Sequence, residues 1–230
     1  WPDRETYYQD LSQAHLPVRF AEIEGVSYEQ HIAEIGAVPT RYANWHDYFN
    51  ALVWLAFPQT KSALNDLHML GRSGETLRGR RRDAATIFDE SGAIVLTTNV
   101  KIIDALKEMR WQDLFVRDRK LWQHEAQVLV FGHGVLDKLR APYIGLTAHT
   151  MLVPLSIQAL PQYGVSEEFS YARAEIDKVL AQMIQQNASD WTPRSLMPLP
   201  LLGIPGWHVE NEDPQFYQNT QYFRSTRRRQ

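Results

Sequence analysis

Hydrophobic positions along this chain recur mostly with the period of a helix. In "SYEQHIAEIG", residues 27–36, Ser27 with Gln30 three positions on predicts a capping box, and Gly36 a stop. The next helix is "NWHDYFNALVWLAF", capped by Asn44 and ended by Phe57-Pro58. A further helix follows at once, from about Thr60 to Leu70. "VKIIDALKEM" and "EEFSYARAEIDKVLAQMI" are amphipathic helices, and "LWQHEAQVLVFGHGVLDKL" predicts one long, mostly buried helix. The N-terminus reads as a short helix from about Arg4 to Ala14 and an extended piece, "LPVRFAEI". "VPTR" and the glycine-rich "GRSGETLRGRRRD" read as loops.

Strand patterning is confined to one place. "AATIFDESGAIVLTT" holds two β-rich runs around Asp89-Glu90-Ser91-Gly92, which predicts a hairpin over about 84–98 with ordinary turn chemistry at its tip. "LTAHTMLVPLSIQAL" fits neither period uniquely. From Thr192 on, prolines and glycines forbid regular structure until the aromatic tail "PQFYQNTQYFR". That tail carries too much apolar surface to hang in water and is expected to pack back as a long, ordered loop. The fold class is therefore α+β: a mostly helical single domain over 1–230 with one small antiparallel sheet. The chain starts at Trp1 rather than Met, which reads as an incomplete N-terminus.

A wheel at 100° per residue separates two stripes on the helix after Asn44. Trp45, Phe49, Leu52, Val53 and Ala56 form an apolar stripe. His46, Asp47, Asn50 and Trp54 form a polar one beside it. On the helix after Pro58, Lys61, Asn65 and His68 share a stripe at spacings of four and three. His46 lies about 18 Å before the bend and His68 about 15 Å after it at 1.5 Å per residue. Antiparallel packing would bring both stripes into one polar layer, with His46 level with His68 and Asn50 level with Asn65. Such a layer is either a site or a closed network that fixes helix register.

Other segments offer candidate chemistry. Arg82 and Asp83 precede the expected hairpin. His133 sits between two glycines in "FGHG", which let another backbone come close, and Asp137 one turn on is placed to orient its ring. Trp207, His208, Glu210, Glu212 and Asp213 lie on a Pro/Gly-shaped loop. There is no nucleophile elbow, Walker A loop, dinucleotide fingerprint or H-E-x-x-H zinc motif.

Composition narrows the class. The 230 residues contain no cysteine, which removes disulfides, thiolate nucleophiles and cysteine-built metal sites, and fits a cytosol. A net charge of −3 demands neither nucleic acid nor membrane. The longest apolar run, Ala51–Phe57, is far short of a membrane span, and no charged-then-apolar leader is visible.

"YEQHIAEIGAVPTR", "NWHDYFNALVWLAFPQTKSALNDLH", "RRDAATIFDESGAIV", "FGHGVLDKLRAPYIGLTAH" and "PLPLLGIPGWHVENEDPQFYQNTQYFR" occur in this order. Together they resemble a bacterial family of domains of unknown function, number 3025, from about Trp1 to Arg224. The resemblance implies a bacterial, single-domain, cytoplasmic protein and carries no mechanism.

The residues themselves point first to a metal-dependent hydrolase acting on a small molecule. His46 and His68 are its candidate ligands for a divalent metal, with Asp47, Asp83 or Asp213 completing the shell. Asn50, Lys61, Asn65, Arg82 and Asp83 are candidate catalytic residues beside them. Trp54, His133, Trp207, Glu212 and Asp213 are candidate substrate contacts. A metal-free acid/base enzyme using the same histidines is the nearest variant. One alternative is a nucleic-acid or ribonucleoprotein binding protein using Arg78, Arg80, Arg81 and Arg82 with Arg224, Arg227, Arg228 and Arg229. Another is a structural or adaptor protein in which the polar layer only enforces register.

Overall fold

A computed structural model describes residues 1–12, 16–23, 25, 27–70, 76–156, 167–188 and 190–225. Its elements run α1 (Arg4–Leu11), β1 (Arg19–Ala21), α2 (Tyr28–Ile35), β2 (Ala37–Pro39), α3 (Trp45–Ala56), α4 (Pro58–Leu70), α5 (Thr76–Ser91) and β3 (Gly92–Leu96). They continue through α6 (Val100–Lys107), α7 (Arg119–Glu125), β4 (Gln127–Val130), α8 (His133–Lys138), β5 (Thr147–Val153), α9 (Glu167–Gln186) and β6 (Met197–Pro200). Short 3₁₀ turns follow to Gln218. The architecture is α+β, dominated by helix.

A four-stranded sheet ordered β4-β3-β5-β6 lies at the centre. β3 pairs antiparallel with β4 and parallel with β5, and β5 pairs antiparallel with β6. The β3 sequence GAIVL is buried at every position, because both of its faces are covered. Ala93 and Val95 face one core with Leu106, Phe115, Tyr217 and Phe223. Ile94 and Leu96 face the other with Val53, Leu64, Phe88 and Ile184. A third cluster joins Tyr7, Phe20, Ile32, Val38 and Trp54 near a parallel pair, β1 and β2.

The expected hairpin over 84–98 is not there. Residues 84–91 are the last turns of α5, and only 92–96 are strand. Arg80–Arg82 and the two alanines favour helix, and Ala84, Ala85 and Phe88 pack into the second core at helical spacing. That packing overrides the β-propensity of Thr86, Ile87 and Phe88. Thr86 and Ser91 turn their hydroxyls back to the carbonyls of Arg82 and Ile87, four residues earlier. The segment 76–83, expected as loop, belongs to the same helix; residues 71–75 lie outside the described residues. The sheet is mixed and built from distant segments.

Three further expectations are corrected. "LWQHEAQVLVFGHGVLDKL" is not one helix but α7, β4 and α8, because the apolar run VLV is needed beside β3. "VPTR" contributes Val38 and Pro39 to β2, and Met197–Pro200 form β6 despite their prolines, on the sheet's edge. Ser27 makes no side-chain cap bond, and Gln30 bonds Glu34 instead. Gly36 does end α2, in the left-handed conformation (φ 64°).

The α3–α4 bend forms as expected. Asn44 accepts from the Asp47 N–H at 3.1 Å to start α3. Pro58 opens α4, where its missing N–H costs nothing. The next two N–H groups, of Gln59 and Thr60, are capped from a distance by the carboxylate of Asp177 on α9, at 3.0 and 2.8 Å. Asp177 is 2 % exposed, so α9 fixes where α4 begins.

The tail packs back. Tyr222 accepts from the Leu202 N–H at 2.9 Å and donates to the Leu146 carbonyl at 2.8 Å. Asn211 donates to the carbonyls of Leu202 and Ile204, and Tyr217 to that of Gly203. Tyr222→Phe therefore leaves the buried Leu202 N–H unpaired, while the Leu146 carbonyl keeps its bond from the Leu201 N–H, and is expected to lower stability by about 1–3 kcal/mol in urea denaturation. Truncation after Gly203 should lower the melting temperature by far more.

Candidate metal centre and cavity

The two polar stripes line one cavity of about 410 Å³, a volume within the range of small-molecule sites. α2 contributes Tyr28, Glu29 and Ile32; α3 contributes His46, Asp47, Asn50 and Trp54; α4 contributes Lys61, Leu64, Asn65 and His68. α5 adds Thr86, Asp89 and Glu90, and α8 adds His133. Thr40 and Arg41, just before α3, close one side.

At the centre is Lys61, 3 % exposed. Its Nζ donates to Asp89 Oδ1 at 2.5 Å and to Asn50 Oδ1 at 2.8 Å, and lies 5.4 Å from the Trp54 ring centroid. Asn50 Nδ2 in turn donates to the Tyr28 oxygen at 2.6 Å. Burial, reinforced by Asp89, pushes the Tyr28 hydroxyl above its ordinary range, so it stays protonated and keeps a hydrogen to donate. Burial also pushes the Asp89 carboxyl up, but the Lys61 and His133 charges more than reverse it and leave it below the usual range.

Three ligand-type groups converge beside this network. His46, Glu90 and His133 each offer an atom within 4.8 Å of the others. His46 Nε2 lies 3.8 Å and His133 Nε2 3.4 Å from Glu90 Oε1. The two imidazole rings meet edge to face, with centroids 4.5 Å apart. The His133 contact, outweighing partial burial, holds the Glu90 carboxyl below its ordinary value. His133 is 5 % exposed, and its Nδ1 has no hydrogen-bond partner among the described residues. That atom lies 3.9 Å from Asp89 Oδ2, beyond hydrogen-bond range; a carboxylate near the far ring nitrogen is the usual support of a metal-ligating imidazole.

Glycine brings Glu90 and His133 together. A Cβ on Gly132 would lie 2.3 Å from the Gly92 nitrogen, and one on Gly134 2.6 Å from Glu90 Oε2. The two glycines flanking His133 thus let the start of α8 press against the end of α5, the close approach that "FGHG" suggested.

The candidate residues divide. His46, Asp47, Asn50, Trp54, Lys61, Asn65, His68 and His133 all line the cavity. Asp47 is spoken for: its carboxyl, which burial raises, is brought below the ordinary range by Arg41, bonded through Nε at 2.8 Å and Nη2 at 2.9 Å. His46 meets His133 edge to face, and it is His133 and Glu90, not His68, that join it in the three-group cluster. Arg82 and Asp83 are exposed on α5 outside the cavity wall, though the Arg82 charge reaches His68. Trp207 lines a separate recess with Trp122 and Gln127. Glu212 pairs with Arg119 at 2.5 Å, and Asp213 caps Gln215 N–H in its own turn. Asp137 pairs with Arg140 rather than orienting His133. In the sequence Asp89 and Glu90 read as turn residues. Once α5 is a helix, they stand beside each other at its C-terminal end, aimed at α8. The arginine run lies on helix α5, and Arg227–Arg229 fall outside the described residues.

A sequence model described as "Protein of unknown function (DUF3025)" matches residues 18–227. The chain belongs to this family. No curated protein matches it, and no solved structure does. Among the described residues no helix is long and apolar enough to cross a membrane.

Two outcomes follow for stability. Lys61→Met leaves Asp89 charged and buried, and should cost roughly 3–5 kcal/mol in urea denaturation. Burial lowers the His68 pKa below its ordinary 6.5. As pH falls below that value, the unfolded chain takes up a proton that the folded chain refuses, so stability declines until the folded pKa is reached. The melting temperature of His68→Gln should therefore fall less than that of wild type between about pH 7 and pH 5.5.

Proposed function

We propose that this protein is a metal-dependent hydrolase of the bacterial cytoplasm, a single domain whose divalent ion is held by His46, Glu90 and His133. The observation that carries the reading is the convergence of these three groups from three helices at the rim of a polar cavity. Around a tetrahedral ion with bonds of about 2.1 Å, ligand atoms stand about 3.4 Å apart. The spacings to Glu90, 3.4 and 3.8 Å, are close to this, so side-chain rotations alone would close the shell. Half of the Glu90 side chain and over a third of that of His46 are exposed, which leaves room for a water and a substrate atom. Asp89, bound on its other oxygen to Lys61, is the group that would fix the His133 ring once Nε2 is ligated.

The ion would lower the pKa of its water to about 7 and polarise the substrate carbonyl. In hydrolysis the water oxygen bonds to the acyl carbon, the bond to the leaving nitrogen or oxygen breaks, and the proton lost by the water goes to the leaving group. The metal-free acid/base variant has less support, because it gives no reason for a second imidazole, His46, to join the Glu90–His133 pair at near-ligand spacing. The cytoplasmic assignment rests on the cysteine-free chain and the family resemblance.

Protein prepared without tag or added metal, then titrated with Zn²⁺ or Mn²⁺ by calorimetry, should bind one equivalent. His133→Ala and Glu90→Gln should each weaken uptake at least 10–100-fold, while His68→Gln leaves it unchanged. Chelator should lower the wild-type melting temperature and leave that of His133→Ala in place. Equal metal uptake by wild type and His133→Ala would overturn the assignment.

A further inference from the structure

The wall of the cavity formed by α2 and α4 carries polar groups that the protein itself does not use. Asn65 is 7 % exposed, and its amide makes no hydrogen bond among the described residues. The Nδ1 atom of His68, one turn further along α4, is buried and likewise unpartnered. Glu29, on α2, is partly buried, makes no hydrogen bond or ion pair among the described residues, and acts electrostatically on His68. Buried polar atoms are rarely left unpaired without a water, ion or ligand to meet them. Here a carboxylate, an amide and an imidazole line one cavity.

Charge decides what fits. The cavity is lined by four acidic side chains, Glu29, Asp47, Asp89 and Glu90, against two cations, Arg41 and Lys61, a difference of two negative charges. Both cations are already engaged, Arg41 by Asp47 and Lys61 by Asp89 and Asn50. An anionic substrate therefore finds no unpaired cation among the described residues that line the cavity. Of the two acids left over, Glu90 belongs to the trio, and Glu29 is the one cavity acid without a bonded partner among the described residues. Its natural complement is a group rich in N–H donors and bearing positive charge.

We infer that the Glu29–Asn65–His68 wall binds the ammonium group of an amino-bearing substrate. Glu29 and the Asn65 carbonyl oxygen accept two of the ammonium's three hydrogens, and unprotonated His68 nitrogen accepts the third. The inference deepens the hydrolase reading by naming a substrate class: amides or esters with a primary amine a few bonds from the scissile carbonyl. It rests on that reading only for the reacting end, because the ammonium subsite does not need the ion.

The test uses the full chain after chelator treatment, so that direct amine ligation of a metal does not contribute. Butylammonium, butyramide and butyrate have matched tails and differ in charge. They are titrated in turn at about 0.15 M ionic strength, with binding followed by protein NMR shifts. The expected result is saturable binding of butylammonium alone, with shifts confined to α2 and α4. Glu29→Gln and Asn65→Leu should each weaken it by about tenfold, roughly the loss of one charge-assisted hydrogen bond. Thermal melts establish that both variants fold. No butylammonium binding, equal binding of butyrate or butyramide, or an unchanged affinity in folded Glu29→Gln would each overturn the inference. Ammonium binding in a protein that takes up no metal would leave this subsite standing and remove the hydrolase reading instead.

Discussion

A lysine ammonium taken out of water must find charge and acceptors, and the burial of Lys61 imposes that demand on four helices at once. Its two bonded partners come from α3 and α5, and Asn50 passes the requirement on to Tyr28 of α2. The strand β3 starts directly after α5, so the position of Asp89 is also tied to the sheet. Losing Lys61 or Asp89 strands the other's charge in a medium that solvates it poorly. The polar layer is thus a structural joint, and the same joint holds Asp89 behind His133. Structure and candidate chemistry share one set of atoms, which is why a register-fixing network and a site need not be rival readings of this layer.

The helix wheel made half of the site legible. The stripes His46–Asn50–Trp54 and Lys61–Asn65–His68 do line one cavity, because two helices joined at a proline must fold back, and period 3.6 then decides which faces meet. What the wheel could not show was a third and a fourth helix entering the same space. Glu90 was invisible because Asp-Glu-Ser-Gly is turn chemistry in one context and a helix end running into a strand in another. His133 was singled out for its glycines, correctly, but its neighbour was assigned as Asp137 by sequence proximity. Spatial proximity gave Asp89 instead. The loop carrying Trp207, Glu212 and Asp213 looked functional because it is rigid and polar; its rigidity comes from closing the first core.

The fold shows the same division between local and distant information. Capping at Asn44, the stop at Gly36 and the helix break at Pro58 follow from residues within a few positions of one another. The sheet does not. β4 lies inside what reads as one continuous apolar helix, and β3 inside what reads as a hairpin. A short apolar run buried on both faces carries no periodicity of its own, and only a partner strand, 31 or more residues away in the register Leu96↔Gln127 to Ala93↔Val130, tells strand from helix.

The three clustered side chains stand at positions 46, 90 and 133, separated by 44 and 43 residues. No short peptide from this chain contains two of them. A zinc finger gathers its ligands from one local segment, and the ion can nucleate that segment's folding. Here the three side chains meet only after α3, α5 and α8 have packed and the flanking glycines have closed on Glu90. An ion would therefore act as a reporter of completed assembly: it would slow unfolding of the finished molecule while leaving the early steps of collapse untouched.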